Sequence, residues 1–173
     1  MAAALAACGS ATGPLEMPDN SKRERGPGVE AVLAPVNGSA AQGTLKMVER
    51  NGALTVVGAV NNLMPGVYRF AVHERGNCSS PNAFSAGAPW APPGSPRTAV
   101  DLFPELTVRE TGNAQMTTTV RGVRVSVDAL RDKSIVVSMG TTVDAQVVPG
   151  VPNRRVLCGV LGAPRSFLDL FRD

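Results

Sequence analysis

Eight short runs rich in Val, Thr and Leu, each closed by Gly, Pro, Asn or Asp, constrain this chain more than any other feature. They cover Val29 to Val36, Gly43 to Val48, Leu54 to Val60, Val67 to His73, Leu106 to Arg109, Ala114 to Val120, Ser134 to Met139 and Arg155 to Leu161. β-branched residues fit a pleated backbone, and the bounding residues break it, so each run predicts a strand. Arg50-Asn51-Gly52 predicts a hairpin, because Asn-Gly supplies the positive φ angles of a tight turn, and Thr111-Gly112-Asn113 predicts a second. The only helix expected is one turn within Ser126 to Asp132, with Ser126 as its N-cap. No stretch approaches the roughly 18 apolar residues of a membrane span. An all-β, antiparallel, eight-stranded barrel or sandwich follows, and 173 residues suffice for one domain to bury its own core.

Two long connections interrupt the strands, Glu74 to Pro104 with its many prolines and Gly140 to Arg154, and connections of that length tend to carry function. Composition removes several classes of function. Seventeen Lys and Arg against 14 Asp and Glu leave a net charge of +3, with no basic run longer than Lys22-Arg23 and only 4% aromatic residues. A nucleic-acid surface needs clustered cations and stacking rings, so none is expected. The chain holds one His, His73, which excludes a metal centre or relay built from several imidazoles. It contains no Gly-rich phosphate loop, no C-x-x-C and no G-x-S-x-G.

Three cysteines make an odd count. Leu5-Ala6-Ala7-Cys8, followed by Gly9, resembles the lipobox of bacterial lipoproteins, in which the Cys is acylated. Seven residues precede Cys8, with no Lys or Arg, whereas a secretory signal carries a basic segment and a longer apolar one, so the expected precursor starts further upstream. Residues 1–8 then read as a signal remnant and 9–28 as a flexible tether of Gly, Pro, Asn and charge. Residues 29–162 form the domain, and 163–173 form a tail whose Ser166 to Phe171 suits packing on the barrel or on a partner. With Cys8 lipidated, Cys78 and Cys158 remain as an even pair that an exporting compartment allows to join; the alternative is two buried thiols.

Several separated motifs resemble the copper/zinc superoxide dismutase family over about residues 29 to 162. Leu63-Met64-Pro65-Gly66-Val67-Tyr68-Arg69-Phe70-Ala71-Val72-His73-Glu74 resembles the family's L-x-P-G-x-H-G-F-H-V-H-E, and Gly76-Asn77-Cys78 follows where the family has its first disulfide Cys. Ser85-Ala86-Gly87 through Pro92 resembles S-A-G-G-H-F-N-P. Asp101 to Leu106 resembles G-D-L-P-x-L with one insertion, and Ser134 to Val137 resembles the strand of the last copper ligand. Arg155 to Gly162 resembles the closing R-x-A-C-G-V-I. The resemblance implies a Greek-key barrel, a Cys78–Cys158 disulfide, and a role for Arg155 like that of the Arg that guides an anion to copper.

The same correspondence takes away the chemistry. The copper-ligand positions fall on Ala71, His73, Pro89 and Ser138; a zinc position falls near Thr98, and Asp101 is the one zinc-type carboxylate retained. A redox copper centre needs several imidazoles, so the expectation is a pseudo-enzyme with no cofactor and no catalytic residue. One alternative is a copper or zinc handling protein that holds a single weakly bound ion at His73, with Asp101 and Met139; another is residual dismutation. His73 is expected to be structural, Arg155 to hold loop carbonyls or contact a partner, and Trp90 to cover the emptied pocket or meet a partner. The resemblances together imply a periplasm-facing lipoprotein of the bacterial outer membrane as the expectation. It touches the membrane only through lipid on Cys8, binds no nucleic acid, engages an envelope protein and is compatible with a dimer.

Overall fold

A computed structural model describes residues 28–95, 102–120, 124–140 and 155–164. The eight expected strands are all present: β1 (Gly28–Pro35), β2 (Gln42–Arg50), β3 (Ala53–Asn61), β4 (Gly66–His73), β5 (Leu106–Val108), β6 (Ala114–Val120), β7 (Ser134–Met139) and β8 (Arg155–Val160). They form one antiparallel sheet in the order β5-β4-β7-β8-β1-β2-β3-β6. Its edge strands β5 and β6 are consecutive in the chain, so the sheet curls into a nearly closed barrel.

Asn51 and Gly52 have φ of 52° and 72°, the left-handed pair that a two-residue hairpin demands, and β2 and β3 pair from Gln42↔Asn61 to Arg50↔Ala53. The second expected hairpin is corrected. Gly112 does turn the chain, with φ 72°, but β5 pairs with β4 and β6 with β3, so Thr111 to Asn113 spans the barrel's seam. The Gly112 carbonyl instead accepts from Leu63 N at 3.0 Å, which ties the seam to the entrance of β4. The single helical turn, α1 (Val127–Leu130), begins as expected, with Ser126 Oγ accepting from Ala129 N at 3.2 Å.

Alternation builds the core. Val29, Ala31 and Leu33 of β1, Leu45 and Met47 of β2, Leu54, Val56 and Val60 of β3, and Met116 and Val120 of β6 point inward, while their neighbours face outward. Tyr68, Phe70 and Val72 of β4, Ile135 and Val137 of β7 and Leu157 of β8 complete the interior. At about 25 cal/mol per Å² of apolar surface removed from water, this continuous core is the main source of stability. Strands β4, β7 and β8 depart from alternation, because outward residues such as Ala71, His73, Ser134, Val136, Ser138 and Cys158 are buried as well. The covering layer comes from the segment after β4, and the site lies beneath it. No helix among the described residues is long and apolar enough to cross a membrane.

Candidate functional site

Because side chains alternate along a strand, Arg69, Ala71 and His73 share the outer face of β4. The antiparallel register sets Arg69 opposite Ser138, Ala71 opposite Val136 and His73 opposite Ser134 of β7. On the other side of β7, Val136 meets Cys158, and Ser138 meets Arg155 after a bulge between Val137 and Ser138. That bulge matters, since it lets Leu157 point into the core while Arg155, two residues earlier, turns outward.

The segment after β4 folds back over this face. Glu74 N donates to Ala88 O at 3.0 Å, Arg75 N to Ala86 O at 3.0 Å and Trp90 N to Val72 O at 2.8 Å, and His73 and Pro89 form an isolated antiparallel bridge. Two cross-links fasten the segment to β8. Cys78 and Cys158 form a disulfide with their Cα atoms 5.8 Å apart. Arg155 Nη1 donates to Ala83 O at 2.8 Å, and its guanidinium lies over the Phe84 ring at 4.9 Å. Ala83, held at φ 57°, occupies the left-handed region that side chains avoid, so these tethers maintain a backbone the loop alone would not favour. Val36, Ala83, Ala86, Val136 and Cys158 pack as a small second core with Cys78 against it.

The positions expected from sequence therefore meet. Ala71 and His73 are two residues apart on one face, Ser138 lies diagonal to Ala71, and Pro89 is bridged to His73. Their side chains are a methyl, an imidazole, a pyrrolidine ring and a hydroxyl, so only His73 and Ser138 carry a donor atom. His73 is fully buried, and its Nδ1 lies 2.9 Å from Gly87 O. A carbonyl only accepts, so Nδ1 carries a proton and the loop fixes the ring, an arrangement common to structural and to ligating histidines. Among the described residues no three His, Cys, Asp or Glu side chains gather in a group able to hold a metal ion. This donor set does not fit a copper centre of the His-rich kind, which needs several imidazoles. Asp101, Thr98 and Cys8 lie outside the described residues.

Trp90 is half-buried, packs on the edge of the main core and holds the Lys133 ammonium 5.0 Å from its ring centroid. It therefore covers the end of β4, where a lid would sit. Two residues that sequence reasoning left without a role also belong here. Arg69 stands where the family motif has Gly, and its Nη2 pairs with Glu105 Oε1 at 2.6 Å. Tyr68, where that motif has His, points into the core and donates from Oη to Met64 O at 2.7 Å. Burial raises its pKa above the ordinary 10.0. Both departures from the motif were visible in the sequence; their consequences depend on the register.

The family model for copper/zinc superoxide dismutase (SODC) matches residues 41–161. No curated protein matches the chain. Among 199 matching chains of solved structures, the crystal structure of the clock protein EA4 superposes with a TM-score of 0.60 at 23% identity, covering 81% of this chain and 97% of that one. At that identity the likeness is one of fold.

Proposed function

This chain belongs to the copper/zinc superoxide dismutase family, and we propose that it serves the bacterial envelope as a non-enzymatic structural or protein-binding module. One observation carries the reading: the four copper-ligand positions converge on one covered face, yet only His73 of them is an imidazole. Without further imidazoles the face cannot hold copper through both of its oxidation states, so the barrel persists without the family's reaction. A barrel whose loop is tethered by a disulfide and a buried Arg is a firm frame for display, and function resides in sites rather than folds. Leu5-Ala6-Ala7-Cys8-Gly9 supports lipid attachment at Cys8 and so an envelope address, with an envelope protein as the partner.

The test loads the purified full-length protein with copper and zinc and measures bound metal by elemental analysis and superoxide decay by stopped flow, with His73→Ala alongside. The expected result is no stoichiometric ion that depends on His73 and no dismutation above that of the variant. One tightly bound, His73-dependent ion would replace the reading with metal handling, and dismutation would replace it with enzymatic activity. Mass spectrometry of Cys8 after expression in a bacterium tests the envelope address; an unmodified thiol there would remove it.

A further inference from the structure

Two Asn-Gly pairs lie among the described residues, and they adopt the same turn. Asn37 and Gly38 have φ of 54° and 70°, Asn51 and Gly52 have φ of 52° and 72°, and all four residues are exposed. Their tethering differs. Asn37 Nδ2 donates to Arg155 O at 2.9 Å, and Asn37 N donates to Pro81 O at 2.8 Å, so this pair is fastened both to β8 and to the covering segment. The side-chain amide of Asn51 makes no hydrogen bond among the described residues. Sequence alone treats the two pairs alike; the fold does not.

We propose that Asn51-Gly52 is a self-modifying site, at which the folded protein converts Asn51 to aspartate and isoaspartate, while the tethers of Asn37 hold Asn37-Gly38 back. The chemistry needs only water. The Gly52 backbone nitrogen attacks Asn51 Cγ: the N–Cγ bond forms, the Cγ–Nδ2 bond breaks, and the proton lost from the Gly52 nitrogen leaves with Nδ2 as ammonia. Water then opens the five-membered imide, giving aspartate by addition at Cγ and isoaspartate by addition at the main-chain carbonyl of Asn51. Turn geometry brings the reacting atoms together. With φ positive at both central residues, rotation of the Asn51–Gly52 peptide plane converts the turn to its sister type, in which only the first φ is positive. That rotation carries the Gly52 nitrogen to the Cβ side of Asn51, and glycine tolerates either sign of φ. At Asn37 the same swing requires Nδ2 to leave Arg155 O while Pro81 O holds the main chain. The product changes the hairpin. Either acid lowers the net charge of +3 by one and sets a carboxylate with Glu49 and Arg124, which line one open hollow of about 410 Å³ with Asn51. Isoaspartate also routes the main chain through Cβ, lengthening a two-residue turn closed by the Arg50↔Ala53 pair.

The experiment incubates the folded full-length protein at mildly alkaline pH in water enriched in heavy oxygen and maps its peptides by mass spectrometry, with a parallel sample in denaturant. In denaturant both pairs should react at similar rates, since each is then Asn-Gly in an open chain. In the folded protein Asn51 should take up heavy oxygen at least about tenfold faster than Asn37, as the two hydrogen bonds held by Asn37 predict. The modified chain should also separate as a more acidic species on ion exchange. Equal rates at the two sites in the folded protein, or conversion of Asn37 ahead of Asn51, would overturn the proposal. So would an intact Asn51 in a folded sample whose denatured counterpart reacts.

Discussion

The two halves of the barrel bury their strands differently. In β1, β2, β3 and β6 one face is core and the other is wet, with Thr44, Lys46, Thr55, Thr117 and Thr119 turned outward. In β4, β7 and β8 the outward positions Ala71, His73, Ser134, Val136, Ser138 and Cys158 are covered too. The covering segment packs Ala83, Ala86 and Trp90 onto the barrel and is held by a disulfide, by Arg155 and by backbone bonds to the end of β4. The lesson is that the barrel and the layer beneath the loop have separable determinants. Dozens of apolar positions specify the first, so it tolerates sequence drift; a handful specify the second, so three substitutions, at Ala71, Pro89 and Ser138, can strip imidazoles from it while the scaffold stands.

The most forceful way to sharpen that contrast is to put the chemistry back. If the outer face retains its geometry, the triple substitution Ala71→His, Pro89→His and Ser138→His should raise copper(II) affinity by at least about 10³-fold, roughly 4 kcal/mol, as titration would read it. An unchanged affinity in a folded triple variant would mean that the face has relaxed beyond recovery, and the two halves would then not be independent.

Cutting the tether tests the covered half from the other side. Cys78→Ser, whose bond spans 80 residues of sequence, should lower stability by about 2–5 kcal/mol in denaturant unfolding, and reduction of the wild type should cost the same. Inside the barrel, Leu157→Ala at a fully buried position should cost a similar 2–5 kcal/mol through lost burial and a cavity. The contrast predicts different fates for the loop. Proteolysis within residues 74–95 should quicken greatly in Cys78→Ser at temperatures where the barrel remains folded, and only in step with global unfolding in Leu157→Ala.

How much of this could be read from sequence follows the same division. All eight strands and the capping Ser126 were legible, because alternation, β-branching and Asn-Gly are local signals. The seam was not. Thr111-Gly112-Asn113 has the composition of a hairpin turn, and only the closure of the barrel decides that β5 and β6 go to different partners. At the site, the disulfide and the four positions that meet on one face, Ala71, His73, Pro89 and Ser138, could be named from their motifs. The pairing of Arg69 with Glu105 could not, since it depends on how β4 meets β5, and register is a property of pairing rather than of either segment. The bulge that turns Arg155 outward is likewise absent from any local pattern.

A pH titration separates the halves on a smaller scale. Tyr68 sits in the core with its pKa raised by burial, so the folded state holds the phenolic proton more tightly than the unfolded chain does. Its contribution is complete below the unfolded value of 10.0 and is lost as pH rises through the higher folded value. Alkaline unfolding monitored by circular dichroism should steepen above that point, and Tyr68→Phe should flatten it while losing about 1 kcal/mol at neutral pH from the bond to Met64 O.

The smallest effect belongs to the edge where the two halves meet solvent. Arg69 and Glu105 approach to 2.6 Å, yet their side chains are 23% and 40% exposed, so water screens the pair and its freezing costs side-chain entropy. Glu105→Gln should therefore change stability by no more than about 1 kcal/mol, and less at high salt.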